Sequence, residues 1–361
     1  MAPLLKNLYN EEYLDLLSAH LQDSYPEFAV QKFKSEVLNA SWKSLELKER
    51  MRHISTRLKL FLPQNFQASI SILKAVFSKM NFAFSLENMI FQDFVEVYGL
   101  NDFKVSISAL EHFTINSSSE FAIRRFILKY PQETMKQMRL WALSDNFHVR
   151  RLASEGCRPR LPWAIALSEF KKNPSPILEI LEILKNDDTP YVRKSVANNI
   201  NDISKENPEI VKKLAKEWLG NNKELDALVK HGCRTLLKSS DKEILKLFGF
   251  LEPTKIRMSD FIYREETSSQ DNLDFSFTLY SDEFLGMIRV EYALYFLRKN
   301  GVHNKKVFQI FNGELQTEKK SFSKSYSFKE ISTRKYYKGV QKLSIIVNGV
   351  EFMHKEFTLS L

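Results

Sequence analysis

The stretch Asp145-Asn-Phe-His-Val149-Arg150-Arg151-Leu-Ala153 returns further along the chain as Asp188-Thr-Pro-Tyr-Val192-Arg193-Lys194-Ser-Val-Ala197. A weaker copy follows at Leu225-Asp-Ala-Leu-Val229-Lys230-His-Gly-Cys233. Upstream, Glu120-Phe-Ala-Ile123-Arg124-Arg125 keeps the Val/Ile-Arg pair without the aspartate. Recurrence at such intervals marks a repeated supersecondary unit that buries its apolar face against its neighbours. An Asp…Val-Arg pattern predicts the start of the second helix of a helical hairpin, so these copies predict hairpins stacked into a curved solenoid.

Working outward, the rest of residues 1–248 reads the same way. Apolar residues recur at three- and four-residue spacing in Glu11–Leu21, Leu45–Leu60, Gln67–Phe77, Phe91–Val97, Phe103–Phe113 and Glu133–Leu143. Breakers such as Tyr25-Pro26, Leu62-Pro63, Tyr130-Pro131, Asn207-Pro208 and Gly220-Asn-Asn222 punctuate the segments. The Asp…Val-Arg copies have the character of HEAT-type repeats. The longer interval between the copies at Arg150 and Arg193 holds an insertion, Gly156-Cys-Arg158-Pro-Arg160-Leu-Pro-Trp163, which is expected on one face of the solenoid.

Near residue 250 the period changes. Phe275–Tyr280, Arg289–Phe296, Lys306–Phe311, Ser321–Phe328, Gln341–Val347 and Val350–Leu359 alternate apolar with polar residues, and Asn348-Gly349 is a strong hairpin signal. The fold class is therefore mainly α, a HEAT-like helical-repeat solenoid followed by a small all-β immunoglobulin-like sandwich. The expected domains are 1–252 and 258–361.

Fifty-three basic against 44 acidic residues give a formal charge of +9, which calls for a polyanionic partner or serves solubility alone. Two cysteines far apart offer neither a zinc pattern nor a disulfide framework. No leader pattern and no long uncharged apolar run is seen, so a cytoplasmic monomer without a membrane span is expected. Phosphate-binding glycine loops, HExxH and GxSxG are absent, and the seven histidines form no ligand pair. Cofactor and metal chemistry are disfavoured.

What remains is carboxylates beside arginines. Glu120 is placed at the opening of a helix, Glu155 at the end of the helix Val149–Glu155, and Asp202 near the end of the helix that begins at Tyr191. Equivalent helix ends in stacked hairpins line one face. The three are expected to converge on a concave surface carrying Arg150, Arg151, Arg193 and Lys194. Each also has a plain reading as a helix-end or capping residue. Asp145 and Asp188 read as structural, capping a helix and binding the neighbouring repeat's arginine. Trp163, after a proline in a basic loop, reads as a surface aromatic.

At Glu120-Phe-Ala-Ile-Arg124, at Val149-Arg-Arg-Leu-Ala-Ser-Glu155-Gly-Cys-Arg-Pro-Arg-Leu-Pro-Trp163-Ala and at Asp188 through Asp202, the chain resembles the AlkC branch of bacterial DNA alkylation repair glycosylases. The likeness extends upstream through Phe94–Leu100 and covers most of residues 1–250. It implies a monofunctional N-glycosylase that needs no cofactor or metal and removes cationic alkylated bases, chiefly 3-methyladenine and 3-methylcytosine, from duplex DNA. It implies Glu120, Glu155 and Asp202 as lesion-site carboxylates and Arg158, Arg160 and Trp163 as the DNA-facing insertion. With them Arg124, Arg150, Arg151, Arg193 and Lys194 are expected to bind DNA. The residues after 251, with 17 basic and 14 acidic side chains, suggest that the sandwich also touches the duplex. Two other readings stay open: a non-catalytic HEAT-repeat scaffold, and a binder of DNA structure that excises nothing.

Overall fold

The protein is described by a computed structural model covering residues 4–80, 85–329 and 334–360. Helices run from Glu11–Ser24 to Lys242–Leu247, and strands follow from Arg257 onward. The helices expected from periodicity are present with shifted ends. Leu47–Phe61, Phe66–Lys79, Met89–Tyr98, Phe103–Thr114 and Pro131–Trp141 each lie within a few residues of their expected bounds.

Local chemistry sets many of these ends. Asn10, Asn65, Asp102, Asn146 and Asp241 accept a hydrogen bond from a first-turn backbone N–H of the helix they precede. Glu46 and Glu49 form a reciprocal capping box before Leu47–Phe61. Proline opens Pro131–Trp141, Pro190–Ile203 and Pro208–Trp218, where its missing N–H has no cost.

The repeats appear as hairpins: Pro131–Trp141 packs on Phe147–Gly156, and Ser175–Leu184 on Pro190–Ile203. The second helices, Phe147–Gly156, Pro190–Ile203 and Lys223–Gly232, lie side by side in one layer. Adjacent repeats are fastened by arginine. Arg150 grips Asp187 through Nε and Nη2 and donates Nη1 to the carbonyls of Ser144 and Asp145. Arg193 donates likewise to the carbonyls of Asp187 and Asp188. The expected partners were Asp145 and Asp188, and the structure corrects this. Both contribute only backbone oxygens, while Asn146 caps one helix and Asp187 takes the inter-repeat guanidinium.

Among the described residues the sandwich has eight strands: β1 Arg257–Tyr263, β2 Glu266–Ser268, β3 Asn272–Tyr280, β4 Gly286–Leu297, β5 His303–Leu315, β6 Lys319–Ser327, β7 Gly339–Val347 and β8 Val350–Ser360. They form a three-stranded sheet, β1-β3-β6, and a five-stranded sheet, β2-β8-β7-β4-β5. Alternate residues Leu273, Phe275, Phe277 and Leu279 of one sheet meet Ile288, Val290, Tyr292, Leu343, Ile345 and Val347 of the other. The two shortest-patterned strands, β1 and β2, escape the sequence reading. β1 is broken by a bulge and half exposed, and β2 has three residues.

The chain divides into two compact units, Met1–Val211 with Trp218–Gly232, and Lys212–Glu217 with Cys233–Leu361. The helices Arg234–Lys238 and Lys242–Leu247 thus group with the sandwich, ahead of the expected division near 252. The β7–β8 hairpin accounts for this. Asn348 and Gly349 take positive φ, as a two-residue primed turn requires. Asn348 accepts the Arg289 N–H at 2.7 Å and donates to the Leu251 carbonyl at 2.8 Å. Gly349 lies so close to the helix that an added Cβ would sit 2.5 Å from Leu245 Cδ1. Among the described residues no helix is long and apolar enough to cross a membrane.

Gly349→Val is expected to lower the stability of the C-terminal unit by about 2–3 kcal/mol, from clash and positive φ together. Denaturant unfolding with the near-ultraviolet signal checks this. An unchanged midpoint would mean that the hairpin does not bear on the Lys242–Leu247 helix.

Candidate active site

The helix Phe147–Gly156 delivers most of the site. It ends in Gly156, where a Cβ would lie 2.6 Å from Ile123 Cγ2, so only glycine lets this helix end approach the helix Ile123–Lys129 so closely. The chain then turns inward. Arg124, fully buried, donates Nε to the Ile165 carbonyl at 2.7 Å and Nη1 to the carbonyls of Gly156 and Arg158 at 3.0 and 2.8 Å. Burial pushes its pKa down to about 10, still far above neutrality, so the group stays a cation. Arg124 is therefore the peg around which the 156–165 loop is wound.

On this frame stands an alternating row of charges. Glu120 Oε2 accepts from Ser118 Oγ at 2.6 Å and from Arg151 Nη1. Arg151 Nη2 also pairs with Glu155 Oε1 at 3.5 Å, and its guanidinium lies 4.8 Å from the Tyr191 ring centroid. Glu155, 5% exposed, accepts from Arg158 Nη1 and from Ser195 Oγ, each at 2.7 Å. Arg158 Nε continues to Asp202 Oδ2 at 2.9 Å, and Lys205 reaches Asp202 Oδ1 at 3.2 Å. Burial works against the charge of Arg151, but Glu120, then Glu155 and Tyr191, outweigh it and raise its pKa. Arg158 is raised in the same way by Glu155 and Asp202.

Above this row lies a cavity of about 260 Å³. Its charged wall is Ser118, Glu120, Arg151, Glu155 and Arg158. The rest of its lining is largely apolar, from Tyr9, Leu47, Met51, Leu86 and Met89, together with Lys48, Phe121 and Leu161 to Trp163. Tyr13 donates to the Glu87 carbonyl at 3.0 Å and Arg50 to the carbonyls of Lys6 and Tyr9, which ties the N-terminal helices into that wall. Among the described residues no group of three or more His, Cys, Asp or Glu is arranged to hold a metal ion.

The expected site residues thus separate. Glu120 and Glu155 come together at the cavity. Glu120 stands in a turn, because its helix begins only at Ile123. Asp202, 2% exposed, does not line the cavity; it lies beneath, reached through Arg158. Three residues expected on the DNA-facing surface are corrected. Arg124 is interior, Arg158 is a buried counter-ion, and Arg150 is committed to the repeat contact with Asp187, because each finds its acceptors inside the protein.

Arg151 is also mostly enclosed and belongs to the cavity wall. Arg160 stays partly exposed and pairs with Glu206. Trp163, 64% exposed, stands at the rim. Arg193 and the exposed Lys194 line a separate groove with Lys223 and His231. Sequence reasoning missed the apolar wall, Lys48, Tyr191 and Ser195, none of which carries a local signal.

The profile of the DNA alkylation repair enzyme family matches residues 107–244. That of the C-terminal Ig-like domain of uncharacterised protein YhaZ matches residues 258–361. The class is that of DNA alkylation repair enzymes bearing an immunoglobulin-like domain. The chain is 42% identical over 347 residues to "Uncharacterized protein YhaZ" of Bacillus subtilis (strain 168), spanning 96% of each chain. It matches the alkylpurine DNA glycosylase AlkC of Pseudomonas fluorescens, solved bound to DNA containing an abasic site analogue. The TM-score is 0.94 at 32% identity, over 99% of this chain and 100% of that one. The chain belongs to the AlkC family of DNA alkylation repair enzymes.

Arg158→Met is expected to cost about 3–5 kcal/mol in urea unfolding, because Glu155 and Asp202 would be left buried without their shared cation. A loss below about 1 kcal/mol would mean that Lys205 and Ser195 suffice to hold the two carboxylates.

Proposed function

We propose that the chain is a DNA N-glycosylase that excises cationic alkylated bases, with 3-methyladenine and 3-methylcytosine as its substrates. The observation that carries this reading is the pair of carboxylates, Glu120 and Glu155, lining one cavity together with an exposed tryptophan, Trp163. The likeness to the AlkC of Pseudomonas fluorescens, an alkylpurine DNA glycosylase, supports it.

A base that already carries a positive charge leaves without being protonated by the enzyme. Positive charge then grows on the deoxyribose as an oxocarbenium ion. A fixed carboxylate stabilises that charge best where the dielectric is low. Glu120, held by Ser118 and Arg151 at the cavity wall, is proposed for this role, and Glu155 for orienting or deprotonating the attacking water. Asp202 acts one step removed, by holding Arg158 against Glu155.

DNA is bound by side chains that remain outside: Trp163, Arg160, Arg193 and Lys194. Phosphate contacts of this kind position the duplex without reading its sequence. Bending of the duplex by the solenoid exposes the lesion to the carboxylates. The basic sandwich adds to the duplex contact.

The test is release of free base from duplex DNA containing 3-methyladenine. Glu120→Gln is expected to slow single-turnover release by about 100-fold, with DNA affinity changed less than about threefold. Wild-type rates in this variant would remove Glu120 from the mechanism. Binding without release by the unaltered chain would mean a binder of DNA structure, and neither binding nor release a scaffold. Lys194→Ala is expected to weaken binding equally on all sequences and to reduce the salt slope by about one. An unchanged slope would place Lys194 away from phosphate.

A further inference from the structure

Trp163 occupies a backbone position that suits glycine. The Ala164 N–H donates to the Leu161 carbonyl at 3.3 Å, closing a turn whose central residues are Pro162 and Trp163. Trp163 has φ +63°, the left-handed conformation that the second central position of a type II turn demands. A tryptophan there is disfavoured by its own Cβ, so the turn keeps it only if its surroundings hold it. The base of the loop is held by Arg124 and by the Leu167 N–H on the Pro159 carbonyl. Its tip is held from elsewhere.

Lys48, in the first turn of the helix Leu47–Phe61, donates Nζ to the Trp163 carbonyl at 2.6 Å. The same ammonium stands 4.6 Å from the centroid of the Phe121 ring, next to Glu120. A charge-assisted hydrogen bond and a cation–π contact thus converge on one exposed side chain. A lysine at this point opposes the helix dipole and contributes nothing to the capping box that Glu46 and Glu49 form, so the local helix gives no reason for it.

We infer that Lys48 is a positioning residue for base excision: it latches the tip of the 161–164 turn and so aims the Trp163 indole at the mouth of the cavity. The inference rests on the reading of Trp163 as the DNA-facing aromatic. The ion pairs of the row's three carboxylates, Glu120, Glu155 and Asp202, are made with Arg151, Arg158 and Lys205 rather than with Lys48. Its contribution is to keep the indole in one place before DNA arrives, which lowers the ordering that the bound state requires.

The test uses the full chain with Lys48→Met and Lys48→Arg. Of the four tryptophans, Trp42, Trp141 and Trp218 are buried, so changes in acrylamide quenching and fluorescence anisotropy report on Trp163. Lys48→Met is expected to raise quenching and lower anisotropy, with the thermal midpoint moved by less than about 2 °C. Its kcat is expected to fall on the order of tenfold while KM changes less than about twofold. Lys48→Arg, which keeps both a donor and a cation over Phe121, restores the fluorescence signature and most of the rate. On a Trp163→Gly background, Lys48→Met is expected to have no further effect on rate.

Unaltered quenching in Lys48→Met overturns the latch, and full additivity with Trp163→Gly overturns its action through Trp163. A wild-type chain that releases no base overturns the role in excision along with the site reading. Quenching still decides the latch in that case, so the two failures are distinguishable.

Discussion

Three carboxylates in one buried seam are stable only because guanidinium groups stand between them. Glu120, Arg151, Glu155, Arg158 and Asp202 alternate in sign along a continuous row of ion pairs. Remove a cation and the neighbouring acids are left desolvated and mutually repelling, a state that costs several kcal/mol or is relieved by taking up a proton. Arg151, Glu155 and Arg158 all belong to one helix end and the turn after it. The neighbouring repeat supplies Tyr191, Ser195 and Asp202, and Ser154 is joined to Ser195 and Asn199 across the same junction. Stacking of repeats, which serves packing in most solenoids, here also sets the geometry of the charges.

The other wall of the cavity serves the same electrostatics by a different route. Leu47, Met51, Leu86 and Met89 line it with apolar side chains, so this part of the lining offers the carboxylates no competing hydrogen bonds. These residues come from N-terminal helices and the bend at Leu86, outside the matched repair-family segment 107–244. A second ion-paired cluster fastens those helices inward, with Arg52 bridging Asp93 and Glu96, and Glu96 also facing Arg125 beside the Arg124 peg. Burial, followed by the charge of Asp93, raises the pKa of Glu96 in spite of the two arginines.

Much of this was legible in the residues themselves. Period and punctuation gave the helices and the six longer strands, and Asn348-Gly349 announced its hairpin because a primed turn admits few other pairs. Glu155 and Trp163 could be found because they lie in one continuous, chemically unusual string. The errors have a common cause. An arginine beside a carboxylate in sequence looks the same whether it faces solvent or closes a buried pair, so sequence alone does not separate the buried Arg124 and Arg158, or the Asp187-bound Arg150, from arginines free to meet DNA. The apolar wall and Lys48 were invisible because contacts spanning 115 residues, such as Lys48 with Trp163, leave no spacing to read.

In the proposed reaction, fixed carboxylates act on a base that is already a cation. The most direct measurement compares single-turnover release from two duplexes, one with 3-methyladenine and one with its neutral 3-deaza isostere. Fast release of the first, none of the second and similar binding of both is the predicted result. Equal release of both, or release of neither with binding intact, would contradict it.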